Sequence, residues 1–124
     1  MASAYSPEQL SAYEEYVSLP SRFRMAEKPP LNAEYLTVLH VHQIAAVPYE
    51  NLLLHYSKEH KVSLDPQVLF KKIVTDARGR GGYCMEDSIL FNHVLRGLGF
   101  QVYTAGVRIR PRVNGIPAGD YIGW

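Results

Sequence analysis

Cysteine is almost absent from this chain. Cys84 is the only one among 124 residues, so no internal disulfide can form and no second thiol is present to resolve an oxidised first. An excess of one charge is also lacking: 13 Lys and Arg stand against 12 Asp and Glu, a net +1, which gives no field to gather a nucleic acid. Apolar runs are short, none nearing the roughly 18 residues of a membrane span. The opening MASAYSPEQL lacks the basic-then-apolar order of an export signal. A lone cysteine offers no metal set, and His40 and His42, two apart on a predicted helix, project to different faces. His40, His42, His55, His60 and His93 are expected to face solvent or to pack. The expectation is a chain of ordinary domain size in a reducing, cytoplasmic compartment, able to bury a core unaided, with no metal, membrane or nucleic-acid partner.

What is present is helical periodicity followed by a change of period. Ser6, Pro7 and Gln9 form a helix start, and Leu10, Tyr13 and Val17 share one face, so a helix is predicted from Pro7 to Val17. A second runs from Ala33 to Ala46, capped by Asn32 and limited by Pro48, with Leu36, Leu39, Gln43, Ala46 and Ile44 turned inward. Between Pro48 and Leu64 periodicity is lost, and Leu52-Leu53-Leu54 is expected to be a short extended or one-turn segment. Asp65-Pro66 starts a third helix with Val68, Leu69 and Ile73 on its apolar side. A fourth spans Cys84 to Leu98 and exits through Gly99. From Phe100 the period is two, which predicts one strand or two with a bend at Gly106, then a turn at Asn114-Gly115 and a returning strand within Gly119–Trp124. The fold class is therefore α+β. Residues 1–98 read as a helical bundle and residues 99–124 as the opening of a β domain, with the chain ending where a sheet has barely begun.

Gly79, Gly81 and Gly82 stand directly before the helix that begins with Cys84. Glycines cost folding entropy and contribute no packing, so they predict a close approach of backbone to whatever sits at Cys84. A thiol in the first turn of a helix faces unpaired N–H groups and the positive end of the dipole, which favour a thiolate and supply donors for an oxyanion. The residues alone leave two readings open: an activated nucleophile, or a small buried side chain beside an ordinary turn. Arg80, if buried, needs a carboxylate for its fork of donors, and Glu50 after Pro48-Tyr49 is the candidate. Glu86 and Asp87 sit where acids suit the helix dipole, and are poor candidates for a general base.

The segment Arg80-Gly81-Gly82-Tyr83-Cys84-Met85-Glu86, preceded by Pro48-Tyr49-Glu50-Asn51-Leu52, closely resembles the arylamine N-acetyltransferase family in both order and spacing. The resemblance runs from an amino-terminal helical domain into the first strands of a barrel-like domain, in a cysteine-protease-like catalytic architecture, and stops short of a whole enzyme. It implies that Cys84 takes an acetyl group from acetyl-CoA and passes it to an aromatic amine or hydrazine in a double-displacement cycle. Arg80 and Glu50, with Gly81 and Gly82, then support the active-site loop, and Tyr49 and Tyr83 line the acceptor pocket. The family's activating histidine and its aspartate have no counterpart in these residues and are expected beyond Trp124; His93 lies on the cysteine's own helix and is no match. Met85 and Asp87-Ser88 depart from the family pattern in ways expected to reshape the pocket floor. Arg108, Arg110 and Arg112 read as a solvated surface excursion between strands, the alternative being a hold on cofactor phosphates. The source has a fungal or bacterial flavour. The rival readings are a cysteine hydrolase or transglutaminase-like enzyme, since the same triad geometry serves water, and a silent helical interaction module.

Overall fold

A computed structural model describes residues 2–120, 122 and 123. Its helices are α1 (Pro7–Tyr16), α2 (Ala33–Ala46), α3 (Leu52–Tyr56), α4 (Pro66–Phe70) and α5 (Cys84–Gly97). Two single 3-10 turns, Ser21–Phe23 and Met25–Glu27, join α1 to α2, and a π-helical stretch, Lys71–Thr75, continues α4. Local chemistry explains the starts. Ser6 Oγ accepts from Gln9 N while Gln9 Oε1 accepts from Ser6 N, a complete capping box. Asn32 Oδ1 accepts from Tyr35 N, and Asp65 Oδ1 accepts from Gln67 N and Val68 N ahead of Pro66. Gly99, at φ 102, makes the left-handed exit after α5.

The core joins α1, α2, the α4–π stretch and α5 around Tyr13, Leu39, Ile73, Leu90 and Val94, all fully enclosed. Tyr13 donates from its hydroxyl to Gln43 Oε1 at 2.6 Å, so two buried polar groups satisfy each other across α1 and α2. Phe23, Tyr35 and Phe100 form an aromatic row, 6.0 and 5.6 Å between neighbouring rings. Burial, with Glu14 nearby, pushes the Tyr35 hydroxyl up to about 12.

Several expectations need correction. On α2 the buried face is Tyr35, Leu39 and Gln43, spaced by four, whereas Leu36 is exposed and Ile44 is 63 % exposed. Tyr35 displaces Leu36 because its ring completes the aromatic row. In the third helix Val68 faces solvent and Phe70 and Val74 are buried instead. Phe70 packs 4.9 Å from the Tyr5 ring, which draws the inward stripe to 69, 70, 73 and 74. Leu52–Tyr56, by contrast, is one helical turn, the second of the two forms expected, with its leucines only partly covered. No strand forms across 100–107. Phe100 and Val102 still turn toward the core while Gln101 and Tyr103 turn out, so the period-two burial is real, but a ladder needs a partner and none among the described residues is paired with this segment.

The β structure among the described residues is two antiparallel ladders: β1 (Arg108–Ile109) with β4 (Ile122–Gly123), and β2 (Arg112–Val113) with β3 (Ile116–Pro117). Asn114 and Gly115, at φ 50 and 79, make the turn between β2 and β3 that their identities predict. Of the expected returning strand, Tyr121 and Trp124 lie outside the described residues. No helix among the described residues is long and apolar enough to cross a membrane.

Candidate active site

Two segments far apart in sequence are sewn together by backbone. Glu50 N donates to Gly82 O at 2.8 Å and Gly82 N to Pro48 O at 3.3 Å, giving a parallel bridge between Tyr49 and Gly82. The approach leaves no room for side chains: a Cβ on Gly81 would lie 1.8 Å from the Pro48 carbonyl oxygen, and one on Gly82 would lie 2.5 Å from the Cβ of Glu86. Neither glycine has positive φ, so closeness rather than backbone freedom requires them. The close approach expected at Cys84 itself is instead to Pro48 and to Glu86. Gly79, at φ 68 with open space around it, serves only the turn.

Glu50 and Arg80 meet at this seam. Arg80 Nε donates to Glu50 Oε1 at 2.9 Å. Nη2 is also 2.9 Å from that oxygen but off the hydrogen-bond line, so its contact is purely electrostatic. Glu50 Oε1 further accepts from Gly81 N at 3.3 Å, and Oε2 from Leu52 N at 2.6 Å. Partial burial raises the Glu50 carboxyl, but the bonds from Leu52, Arg80 and Gly81 outweigh it and hold the group below its usual range. With side chains 31 % and 13 % exposed, the pair is half-buried rather than buried.

The start of α5 is fixed by a second pair that sequence reasoning missed. Glu86 is buried; its Oε2 accepts from Tyr83 N at 3.2 Å and its Oε1 from Lys72 Nζ, which comes from the π-helical stretch. The Tyr83-to-Glu86 spacing was a visible half of a capping box, but nothing in the sequence marked Lys72 as the partner. Between these two anchors Cys84 is left exposed.

Cys84 opens on a cleft of about 220 Å³, lined also by Asp87, His40, Ile44, Tyr49 and Phe91. Tyr49 is thus at the cleft, and Tyr83 is not among its lining residues. Ile44, misplaced as core, supplies part of the apolar wall. Asp87 lies one turn beyond Cys84, so the two share a helix face. Burial first, then the neighbouring Glu86 and Glu50, offset in part by Lys72, pushes its carboxyl up to about 7. Of the five histidines only His40 lines the cleft, its ring 5.9 Å from that of Phe91. His93 Nδ1 accepts from Ala4 N, His42 Nδ1 is bonded to Val17 O, and His60 Nδ1 to Leu54 O. Two clefts of similar size, one beside Met25 and Leu98 and one beside Leu64 and His93, contain no thiol. Arg110 Nε donates to Gly119 O, neither Arg110 nor Arg112 lines the Cys84 cleft, and the Arg108 side chain lies outside the description. No group of three or more His, Cys, Asp or Glu suited to a metal occurs among the described residues.

A model of the N-acetyltransferase family matches residues 32–116, which takes in the Pro48–Glu50 segment, the glycines, Cys84 and the cleft. The chain belongs to the arylamine N-acetyltransferase family. It is 35 % identical over 135 residues to N-malonyltransferase FDB2 of Fusarium pseudograminearum, covering 97 % of this chain and 39 % of that protein. It is 38 % identical over 95 residues to the arylamine N-acetyltransferase, pineal gland isozyme NAT-3, of Gallus gallus, covering 77 % of this chain and 31 % of that one. Arylamine N-acetyltransferase 1 of Oryctolagus cuniculus is 38 % identical over 76 residues, 61 % of this chain and 25 % of the relative. This family chain therefore spans about two-fifths or less of the length of these relatives.

Proposed function

We propose that Cys84 is the acyl-accepting nucleophile of a coenzyme A dependent N-acyltransferase. The observation that carries this is the exposed thiol at the first turn of α5, facing a cleft and held there by two independent charged anchors, Glu50–Arg80 and Glu86–Lys72. In this reading Cys84 Sγ attacks the carbonyl carbon of the acyl thioester, the bond to coenzyme A breaks, and the released thiolate takes up the proton lost by Cys84. An arylamine or arylhydrazine nitrogen then attacks the acyl-cysteine, loses its proton, and regenerates the thiol. The N–H groups at the start of α5 face the developing oxyanion. Acetyl-CoA is the donor the family name favours; malonyl-CoA is the second, favoured by the name of the FDB2 relative. Tyr49 and Phe91 offer aromatic faces to an aromatic acceptor. The cytoplasmic compartment belongs to the same reading.

Loading is the half-reaction to test, because thioester exchange with an exposed thiol needs no acceptor amine. Intact-mass measurement after prolonged incubation with acetyl-CoA, and separately with malonyl-CoA, should show one acyl group, lost in Cys84→Ser. Absence of an adduct on Cys84 from either donor overturns the proposal and favours a silent module. His40→Gln tests the one histidine at the cleft: lost loading places the base there, and unchanged loading shows that His40 is not required.

A further inference from the structure

We propose that Asp87 governs the charge of the acyl group that Cys84 can accept: as a carboxylate it disfavours an acyl chain ending in its own carboxylate, and as a carboxylic acid it admits one. This rests on the reading of Cys84 as an acyl acceptor and deepens it to the choice of donor. Three observations carry it. Cys84 and Asp87 line one cleft and lie three residues apart on α5. Side chains so spaced stand about 5–6 Å apart at their Cβ atoms. The reach from Sγ to the far carboxyl of a malonyl group is of the same order, so the two charges would share the cleft.

Pairing is the second observation. The two carboxylates that act on Asp87 are each compensated: Glu50 by Arg80, and Glu86 by Lys72. Asp87 Oδ1 is buried and has no hydrogen-bond partner among the described residues. Its ionisation therefore adds an unneutralised negative charge at the cleft. An unpartnered buried oxygen is also where an incoming O–H or N–H of a ligand gains most.

The third is where Asp87 titrates. Burial, then Glu86 and Glu50, against Lys72, pushes it up to about 7, so the switch between its two forms falls at ordinary working pH. From the other elements around the cleft, His40 on α2 and Tyr49 are the remaining titratable groups. His40 is a second ionisable side chain at the same cleft. A variant must separate the two.

Two alkylating probes read the charge without any acyl chemistry. Iodoacetamide and iodoacetate both transfer a CH₂ group to Sγ with departure of iodide, the thiol proton passing to solvent. They differ in bearing a neutral amide or a carboxylate. Their rate ratio at Cys84 cancels the thiolate fraction and leaves the local charge. In the wild-type chain the iodoacetate-to-iodoacetamide ratio should fall about fivefold between about pH 5.5 and about pH 8.5, the size of a like-charge contact in a partly wet cleft. Asp87→Asn and Asp87→Ser should each abolish the fall, and His40→Gln should keep it. A wild-type ratio independent of pH, a fall that survives in both Asp87 variants, or a fall that vanishes in His40→Gln overturns the proposal. With malonyl-CoA and acetyl-CoA in competition at about pH 8, Asp87→Asn should raise the malonyl share of the adduct about fivefold. If the alkylation ratios behave as stated while neither thioester loads Cys84, the acyltransferase reading has failed and the charge control by Asp87 has not.

Discussion

The seam around Cys84 and the segment from Phe100 onward differ in how far apart in sequence their bonded partners lie: some thirty residues at the seam, a few in the ladder Arg112–Val113 with Ile116–Pro117. At the seam, Pro48–Glu50 and Gly81–Gly82 exchange backbone bonds, and two charged pairs brace it from either side. Beyond Phe100, alternation is present but the ladders among the described residues are two residues long, and Val107, Ile109, Val113 and Ile116 are exposed. A local pattern specifies which side of the chain is apolar. Only a partner turns that into structure, and at the seam the partner is within the chain.

The strongest break in this comparison is Gly81→Ala. Its Cβ would be driven into the Pro48 carbonyl, and backbone cannot yield as a side-chain tip can. A loss on the order of 3 kcal/mol or more in chemical denaturation is expected. By contrast Gly106→Ala, where a Cβ would meet nothing within 4 Å, should change stability by less than about 0.5 kcal/mol. Equal losses at the two positions would show that the seam is no more tightly specified than the tail.

Next in size is the Glu50–Arg80 pair. Its partial exposure places it between surface and buried pairs, so Arg80→Ala and Glu50→Ala should each cost about 1–2 kcal/mol, with a double variant well short of their sum. The Glu50 carboxyl is held below its unfolded value of 4.5. Its stabilisation is therefore fully present above that value and lost as pH falls through the lower folded one. Acid unfolding of Glu50→Gln should lack that component. Asp87 has the opposite sign: with its folded pKa raised from 3.8 to about 7, the folded state loses stability as pH rises between those values. Asp87→Asn should melt higher than wild type at pH 8 and close to it at pH 4, a difference scanning calorimetry can read.

Much of the helical frame was legible because its signals are local. Ser6, Asn32 and Asp65 cap from within three residues, and Gly99 ends α5 as its type predicts. The paired motifs around Glu50 and Arg80 were legible as well. Lys72 under Glu86, Asp87 and His40 at the cleft, and Tyr35 in place of Leu36 were not, because each depends on how one helix is rotated against another. The π-helical stretch after Phe70 is a further case: one extra residue per turn alters which side chains face in, and neither capping residues nor spacing announced it.

The smallest effect belongs to the amino-terminal segment, where His93 Nδ1 accepts from Ala4 N at 3.0 Å. Burial, then Arg96, lowers the His93 pKa. The bond is therefore present above the unfolded value and is lost as pH falls through the lower folded one. The protection of the Ala4 amide, its exchange rate relative to an unstructured amide at the same pH, should fall at low pH in wild type, and His93→Phe should show little protection at any pH.

The most direct test of the central claim is acyl occupancy of Cys84 by peptide-resolved mass spectrometry, comparing wild type with Arg80→Ala at equal far-UV circular dichroism. If the seam holds the thiol at its cleft to accept an acyl group, wild-type Cys84 loads from a coenzyme A thioester and Arg80→Ala loads about tenfold more slowly. Loading at the same rate in both chains would contradict a positioning role for the seam, and no loading in wild type would contradict the acyl-acceptor role of Cys84.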